Sequence, residues 1–139
     1  MRGKLCAGIL GILISLLLVG CSGPGSELPE AFDEETVKSE AMKAVELFNA
    51  RDYQGIIDMG DDNLKAAITE EVFAKQGDPY LDKDGAFQEI EKTVVLGSKD
   101  KNTGLEYGGV VMIGDYENGK IQFTISFDVD MKLVQFVIR

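Results

Sequence analysis

Tyr116-Glu117-Asn118-Gly119-Lys120-Ile121-Gln122-Phe123-Thr124-Ile125-Ser126-Phe127-Asp128 is the stretch that decides the fold. Asn118-Gly119 stands between two alternating runs, Glu106–Tyr116 and Lys120–Asp128. An Asn-Gly pair in that setting signals a hairpin, because a type I′ turn needs positive φ at both central residues. In the second run Ile121, Phe123, Ile125 and Phe127 point one way, and Gln122, Thr124, Ser126 and Asp128 the other. That is the pattern of a strand with one buried and one wetter face. Asp128-Val129-Asp130 is a second turn, and Met131–Arg139 reads as a further strand. A curved antiparallel sheet is expected, and the preceding chain must cover its apolar face.

Working back from the hairpin, Leu105–Tyr116 is its first arm. Gly108-Gly109 inside that arm is expected to mark a bulge or bend. Ser98–Gly104 is a polar loop, Ala86–Gly97 reads as the first strand, and Asp78–Gly85 as a turn-rich connector. Helical signals come before that. Asp33-Glu34-Glu35 suits the positive end of a helix dipole, and Val37, Ala41, Ala44, Val45 and Phe48 form one apolar stripe. Tyr53–Met59 is a short helix stopped at Gly60. Asp61 or Asp62 caps Asn63–Ile68. Thr69 caps Glu70–Gln76, with Gly77 behind it as the stop. The layout is α+β: N-terminal helices packed on a curved four-stranded antiparallel sheet, as one domain over residues 32–139.

The opening of the chain reads as an address. Arg2 and Lys4 are a basic start, and Leu5–Leu17 is an apolar run too short for a comfortable membrane span. Leu18-Val19-Gly20-Cys21 resembles the lipobox of bacterial lipoproteins. Small residues there let the peptidase in, and a thiol is needed to take the diacylglyceryl group. Residues 1–20 are then a signal peptide, Cys21 is the lipidated residue, and residues 21–31 are a flexible tether rich in Gly, Ser and Pro. Two or more acyl chains hold a protein stably on a membrane where one does not. The expected location is the extracytoplasmic face of the bacterial cell membrane. Cys6 leaves with the signal peptide and Cys21 is consumed by lipid, so no disulfide is available.

Composition bounds the partners. The chain has 14 basic and 24 acidic residues and a net charge of −10; loss of Arg2 and Lys4 takes this to −12. Such acidity argues against nucleic acid, which needs a basic stripe. It also argues against lying flat on anionic lipid. There is no His and no Trp. Without histidine, Ser-His-Asp and Cys-His catalysis and ordinary zinc sites are excluded, leaving Asp, Glu, Lys and Tyr as acids and bases. No cofactor motif is present, since Gly108-Gly109 lies inside a strand and leads into no helix.

Larger pieces carry a family likeness. Asp-Tyr at residues 52–53 with Ile56-Ile57-Asp58-Met59, then Ile68-Thr69-Glu70-Glu71-Val72-Phe73, Lys92-Thr93-Val94-Val95, the hairpin stretch 116–128 and Met131–Arg139 together resemble bacterial proteins of domain of unknown function 3887. The likeness covers about residues 40–139 and rests on strand-and-turn patterns rather than catalytic motifs. It implies a cone fold of the nuclear transport factor two-like kind, in which the sheet wraps the long helix. The family has no established activity, so the resemblance implies none.

Three places invite a function. Asp82-Lys83-Asp84-Gly85 with Glu91 matches the second half of an EF-hand loop, but Tyr80 falls where the first carboxylate belongs, and an Asp-rich turn explains the stretch as well. The mouth of the cone is the second, where Tyr53, Tyr107 and Tyr116 are the candidate ligand-binding residues, with Asp128 beside them. A tyrosine–carboxylate pair supports proton transfer only when burial raises the carboxylate's pKa. The third is the outer sheet face, where Gln122, Thr124, Ser126 and Gln135 suit contact with a protein or a second copy. No catalytic constellation and no metal site are nameable. The expectation is a non-catalytic binding or accessory module at the cell envelope, with a small ligand in the cone or a protein on the sheet. The alternative is an isomerase or dehydratase run by Asp and Tyr. A cone filled with Phe, Ile and Val side chains would count against that enzyme.

Overall fold

The structure is a computed structural model, and it describes residues 27–139. Cys21 and the expected signal peptide lie outside the described residues. Helices α1 (Glu34–Asn49), α2 (Tyr53–Asp58), α3 (Asp62–Ala67) and α4 (Glu70–Asp84) come first. Strands β1 (Phe87–Lys99), β2 (Glu106–Tyr116), β3 (Gly119–Phe127) and β4 (Leu133–Ile138) follow. The strands form one antiparallel sheet in the order β1-β2-β3-β4. The architecture is α+β, a sheet covered on one face by helices, as the sequence pattern requires. Among the described residues no helix is long and apolar enough to cross a membrane.

Local chemistry starts every helix. Asp33, Asp52, Asp61 and Thr69 each accept a hydrogen bond from the backbone N–H three residues on, at 2.9, 2.9, 2.8 and 3.3 Å. These bonds satisfy donors that a helix start otherwise leaves unpaired. Helix α1 then buries Val37, Ala41, Ala44, Val45 and Phe48 completely. Facing them are Val110 and Met112 of β2 and Ile121, Phe123, Ile125 and Phe127 of β3. Full burial of such a side chain is worth about 1.5–3 kcal/mol, so this layer supplies most of the driving force.

The hairpin forms one residue earlier than expected. Tyr116 pairs with Gly119, so Glu117-Asn118 is the two-residue turn. Neither Asn118 nor Gly119 has positive φ; among the described residues only Arg51, Gly85, Gly104 and Met131 do. The turn is held from outside instead. Asn118 N–H donates to Asp84 C=O at 2.9 Å, Glu117 N–H to Ala86 C=O at 2.9 Å, and Ala86 N–H to the Glu117 carboxylate at 3.0 Å. Gly119 is needed for space, because a Cβ there would lie 2.5 Å from Asp84 Oδ1.

Helix α4 overruns the expected stop at Gly77, so the connector read at residues 78–85 is helix almost to its end. Gly77 is buried against Phe48 and Tyr53, where a side chain would not fit. Pro79 costs a helix about 3 kcal/mol. Burial of Leu81 and bonds from Tyr53 and Arg51 to Asp78 hold the last two turns in place. The true stop is Gly85, at φ 80°.

Gly108-Gly109 does not bulge: Gly97–Gly108 and Leu96–Gly109 pair in regular register. The irregularities fall instead near Phe87–Lys92 of β1 and beside Ser126–Phe127. Gly97 and Gly108 admit the chain's own N-terminal segment. Side chains there would collide with the Glu27 carbonyl and Pro29, and with Leu28 and Phe32, respectively. The stretch expected as tether up to residue 31 is therefore packed on the sheet from Leu28 onward. Strand β4 begins at Leu133 rather than Met131, because Met131 turns left-handed at φ 61°.

Candidate functional site

The space between helices and sheet is filled. Phe48 meets Phe123 edge-on at 5.5 Å, Tyr53 at 6.0 Å and Phe136 at 5.9 Å between ring centroids. Tyr53 stacks on Phe73 at 5.0 Å, and Phe73 packs on Phe136 at 5.5 Å. These rings close the cone from helix α1 to the edge strand β4. An opening of about 360 Å³ remains at the rim, bounded by Ile68, Phe73, Gln76, Tyr80, Phe136 and Ile138.

The three tyrosines expected at one pocket do not meet there. Tyr53 is buried, and its hydroxyl donates to Asp78 at 2.6 Å. Tyr116 is buried, packed against Phe87, with its hydroxyl bonded to Asn49. Tyr107 is half-buried and lies on the opposite face of the sheet, in register with Ser98. Asp128 is used up in its turn, accepting from Asp130 N–H at 3.0 Å and Lys132 N–H at 2.9 Å.

The electrostatics of the Tyr53–Asp78 pair run opposite to those of a general base. The Tyr53 hydroxyl and then Arg51, 2.9 Å away, hold the Asp78 carboxyl below its ordinary range. Burial, reinforced by Asp78, pushes the Tyr53 hydroxyl well up. Burial does the same to Tyr116. Both phenols stay protonated and both hydrogen bonds are structural.

The calcium-like stretch is taken apart by the fold. Asp82 pairs with Arg51 at 2.8 Å, and Glu91 pairs with Lys120 across the outer face of the sheet. Asp84 is buried beneath Gly119, and its Oδ1 has no hydrogen-bond partner. Three carboxylates in three separate settings do not make a cage for a hard cation.

An open groove lies on the outer face, away from the helices. Leu96 and Ser98 of β1, Tyr107 of β2, Thr124 and Ser126 of β3 and Gln135 of β4 surround it, over a floor of Gly109 backbone. Its volume is about 230 Å³, and an adjoining hollow of about 360 Å³ shares Ser98, Tyr107, Ser126 and Gln135. The alternation of β3 exposes Thr124 and Ser126 there, and regular pairing places Ser98 beside Tyr107.

Residues 41–136 match the family described as "Protein of unknown function (DUF3887)". The chain belongs to that family. Among solved structures it is similar to one titled "NMR structure of protein from Ruminococcus gnavus ATCC 29149", at 34% sequence identity and a TM-score of 0.72. That likeness covers 84% of this chain and 99% of the other. No curated protein matches. The matched span runs from the buried face of helix α1 to Phe136, so it takes in both the filled cone and the outer groove.

Sequence reasoning missed Tyr80, which stands at the cone's rim. The signal was present: Phe73, Gly77, Tyr80, Leu81 and Asp84 continue a spacing of three and four straight past Pro79. It also grouped Tyr107 with the two inner tyrosines. The alternation of residues 106–116 separates odd from even positions, and so separates Tyr107 from Tyr116 by nine residues and one face.

Proposed function

We propose that this family member is a lipid-anchored, non-catalytic binding module of the bacterial envelope, and that it engages its partner on the outer face of the sheet. The observation that carries this reading is the distribution of free hydrogen-bonding groups. In the interior of the cone, the aromatic rings touch one another and the hydroxyls of Tyr53 and Tyr116 are taken by Asp78 and Asn49, so among the described residues open polar groups remain only at the rim, on Gln76 and Tyr80. In the outer groove, hydroxyl and amide groups line open space. The lipobox-like Leu18–Cys21 supports anchoring, with Cys21 carrying the lipid and the domain held extracytoplasmically. Catalysis by Asp and Tyr finds no support in Asp78, whose carboxyl is lowered rather than raised.

Site-specific photo-crosslinking of the full chain in cells tests this. A crosslinker at Thr124 is expected to trap an envelope component, and one at Gln76 on the cone rim to trap none. Adducts at Gln76 alone, or at neither position, would overturn the reading.

A further inference from the structure

We propose that the outer groove binds an uncharged carbohydrate, a glycan strand of the cell envelope. This deepens the reading just given and rests on it. Charge is the first argument. No Asp, Glu, Lys or Arg lines the groove or the hollow beside it, although the whole chain carries 38 such residues. A neutral lining on an acidic domain selects neither a cationic nor an anionic partner. It suits a ligand that is recognised by hydrogen bonds and by an apolar face, which is what a neutral sugar ring presents.

The lining supplies both. Tyr107 and Leu96 offer an aromatic and an aliphatic surface for the C–H face of a ring. The hydroxyls of Tyr107, Ser98 and Thr124 make no side-chain hydrogen bond among the described residues and remain free to donate or accept. Ser126 Oγ donates to Gln135 Oε1 at 3.1 Å, which orients the amide and leaves its NH2 free. The floor is bare because Gly109 admits no side chain: its Cβ would press on the Ile125 carbonyl.

Reach and placement agree. The polar groups come from all four strands, and at about 4.8 Å per strand the groove spans about 14 Å, room for a short run of sugar rings. Glu27 sits against Gly97 on the helix-covered face, at the end of the sheet that carries the groove on its other face. Six residue steps separate it from Cys21, at most about 22 Å of chain. A lipid on Cys21 would hold the groove close to the membrane, among the glycans of the envelope.

The test uses the lipidated full chain in nanodiscs of zwitterionic lipid. The probes are neutral tetrasaccharides (chitotetraose, cellotetraose and maltotetraose) with tetragalacturonate as the acidic contrast, read by saturation-transfer NMR. At least one neutral probe is expected to bind. Tyr107→Ala should weaken it tenfold or more, and Thr124→Arg should abolish it by filling the groove, both at the parent's melting temperature. No transfer to any neutral probe, binding of the acidic probe alone, or binding unchanged in both variants would overturn the proposal. If Thr124 crosslinks trap protein alone while the sugars stay unbound, the outer-face reading survives and the glycan proposal fails.

Discussion

Gly77→Ala separates two accounts of the same glycine by the sign of its effect. If Gly77 were merely a weak point in an exposed helix, alanine would stabilise helix α4 by about 1 kcal/mol, the ordinary helix-propensity gain. The packing says otherwise. A Cβ at Gly77 would stand 3.0 Å from Phe48 Cε1, 3.0 Å from Tyr53 Cε1 and 3.0 Å from the Tyr53 hydroxyl. None of these neighbours has room to yield. Phe48 is fully buried between Phe123 and Phe136, and Tyr53 is stacked on Phe73 with its hydroxyl bonded to Asp78. Forcing a methyl into such a site costs about 1–3 kcal/mol. Set against the propensity gain, the net loss is about 1 kcal/mol, equivalent to a fall in melting temperature of about 4 °C for a domain of this size. The assay is thermal unfolding by circular dichroism, with urea unfolding as the check on two-state behaviour. A second variant, Gly77→Ala with Tyr53→Phe, removes one of the three close contacts and should recover part of the loss. A rise in melting temperature for Gly77→Ala alone would refute the argument that the glycine exists to let helix α4 approach the aromatic cluster.

Alkaline pH should unfold the domain. Tyr53 and Tyr116 are both held protonated by burial, so their folded pKa values lie above the unfolded value of about 10. Their contribution is fully present below that pH and is lost as pH rises toward the folded values. Tyrosinate absorbance from these two should appear together with loss of circular dichroism, and ionisation of either with the fold intact would contradict the burial argument. Asp84→Asn is expected to stabilise by about 1 kcal/mol in thermal melts, because Asp84 buries a carboxylate at the C-terminal end of helix α4, where its ion pair with the exposed Lys83 Nζ is long, at 3.6 Å from Oδ1. A destabilised Asp84→Asn would mean that the Lys83 ion pair outweighs the cost of burying the charge at the helix end. Cys21→Ala should abolish incorporation of radiolabelled palmitate into the chain; labelling is the readout because an uncleaved Leu5–Leu17 run would itself hold the variant on the membrane. Equal labelling of the variant would remove Cys21 as the lipid site from the proposal.

What could be read in the sequence was whatever depends on nearest neighbours along the chain. The apolar stripe of residues 37–48, the cap at Thr69, the choice of Asp61 or Asp62 as a cap and the alternation of residues 121–127 are local signals, and the structure uses them, with Asp61 as the cap. What could not be read depends on contacts between distant segments. Asn118-Gly119 looks like a type I′ turn until Asp84 and Ala86 bond the tip from helix α4 and the start of β1. Gly77 looks like a helix stop until Phe48 and Tyr53 are seen to need its missing side chain. Gly108 looks like a bend until Leu28 and Phe32 are found lying on it. In each case the residue type was recognised as special, and the reason for it lay in another part of the chain. The site followed the same rule. The four strands could be laid out from the sequence, but the groove of Tyr107, Thr124 and Gln135 depends on their register.

That register also lets one sheet carry the core on one face and an independent polar surface on the other. Side chains alternate across a strand, so polar residues placed at every second position of β3 take nothing from the apolar layer beneath. Ile121, Phe123, Ile125 and Phe127 are fully buried, while Gln122, Thr124 and Ser126 between them stay partly open. Substitution at Thr124 or Ser126 can therefore alter the outer surface at little cost in stability. Substitution at Phe123 or Ile125 leaves a cavity worth about 2–5 kcal/mol, a large fraction of the 5–15 kcal/mol that such a domain has in total. The cone side is constrained in the opposite way. Its polar groups are themselves part of the packing, with the Tyr53 hydroxyl bonded to Asp78 and the Tyr116 hydroxyl to Asn49. To free either hydroxyl for chemistry would leave a buried donor unsatisfied at about 1–3 kcal/mol. A fold arranged this way can vary its outer face far more easily than it can open a catalytic pocket within.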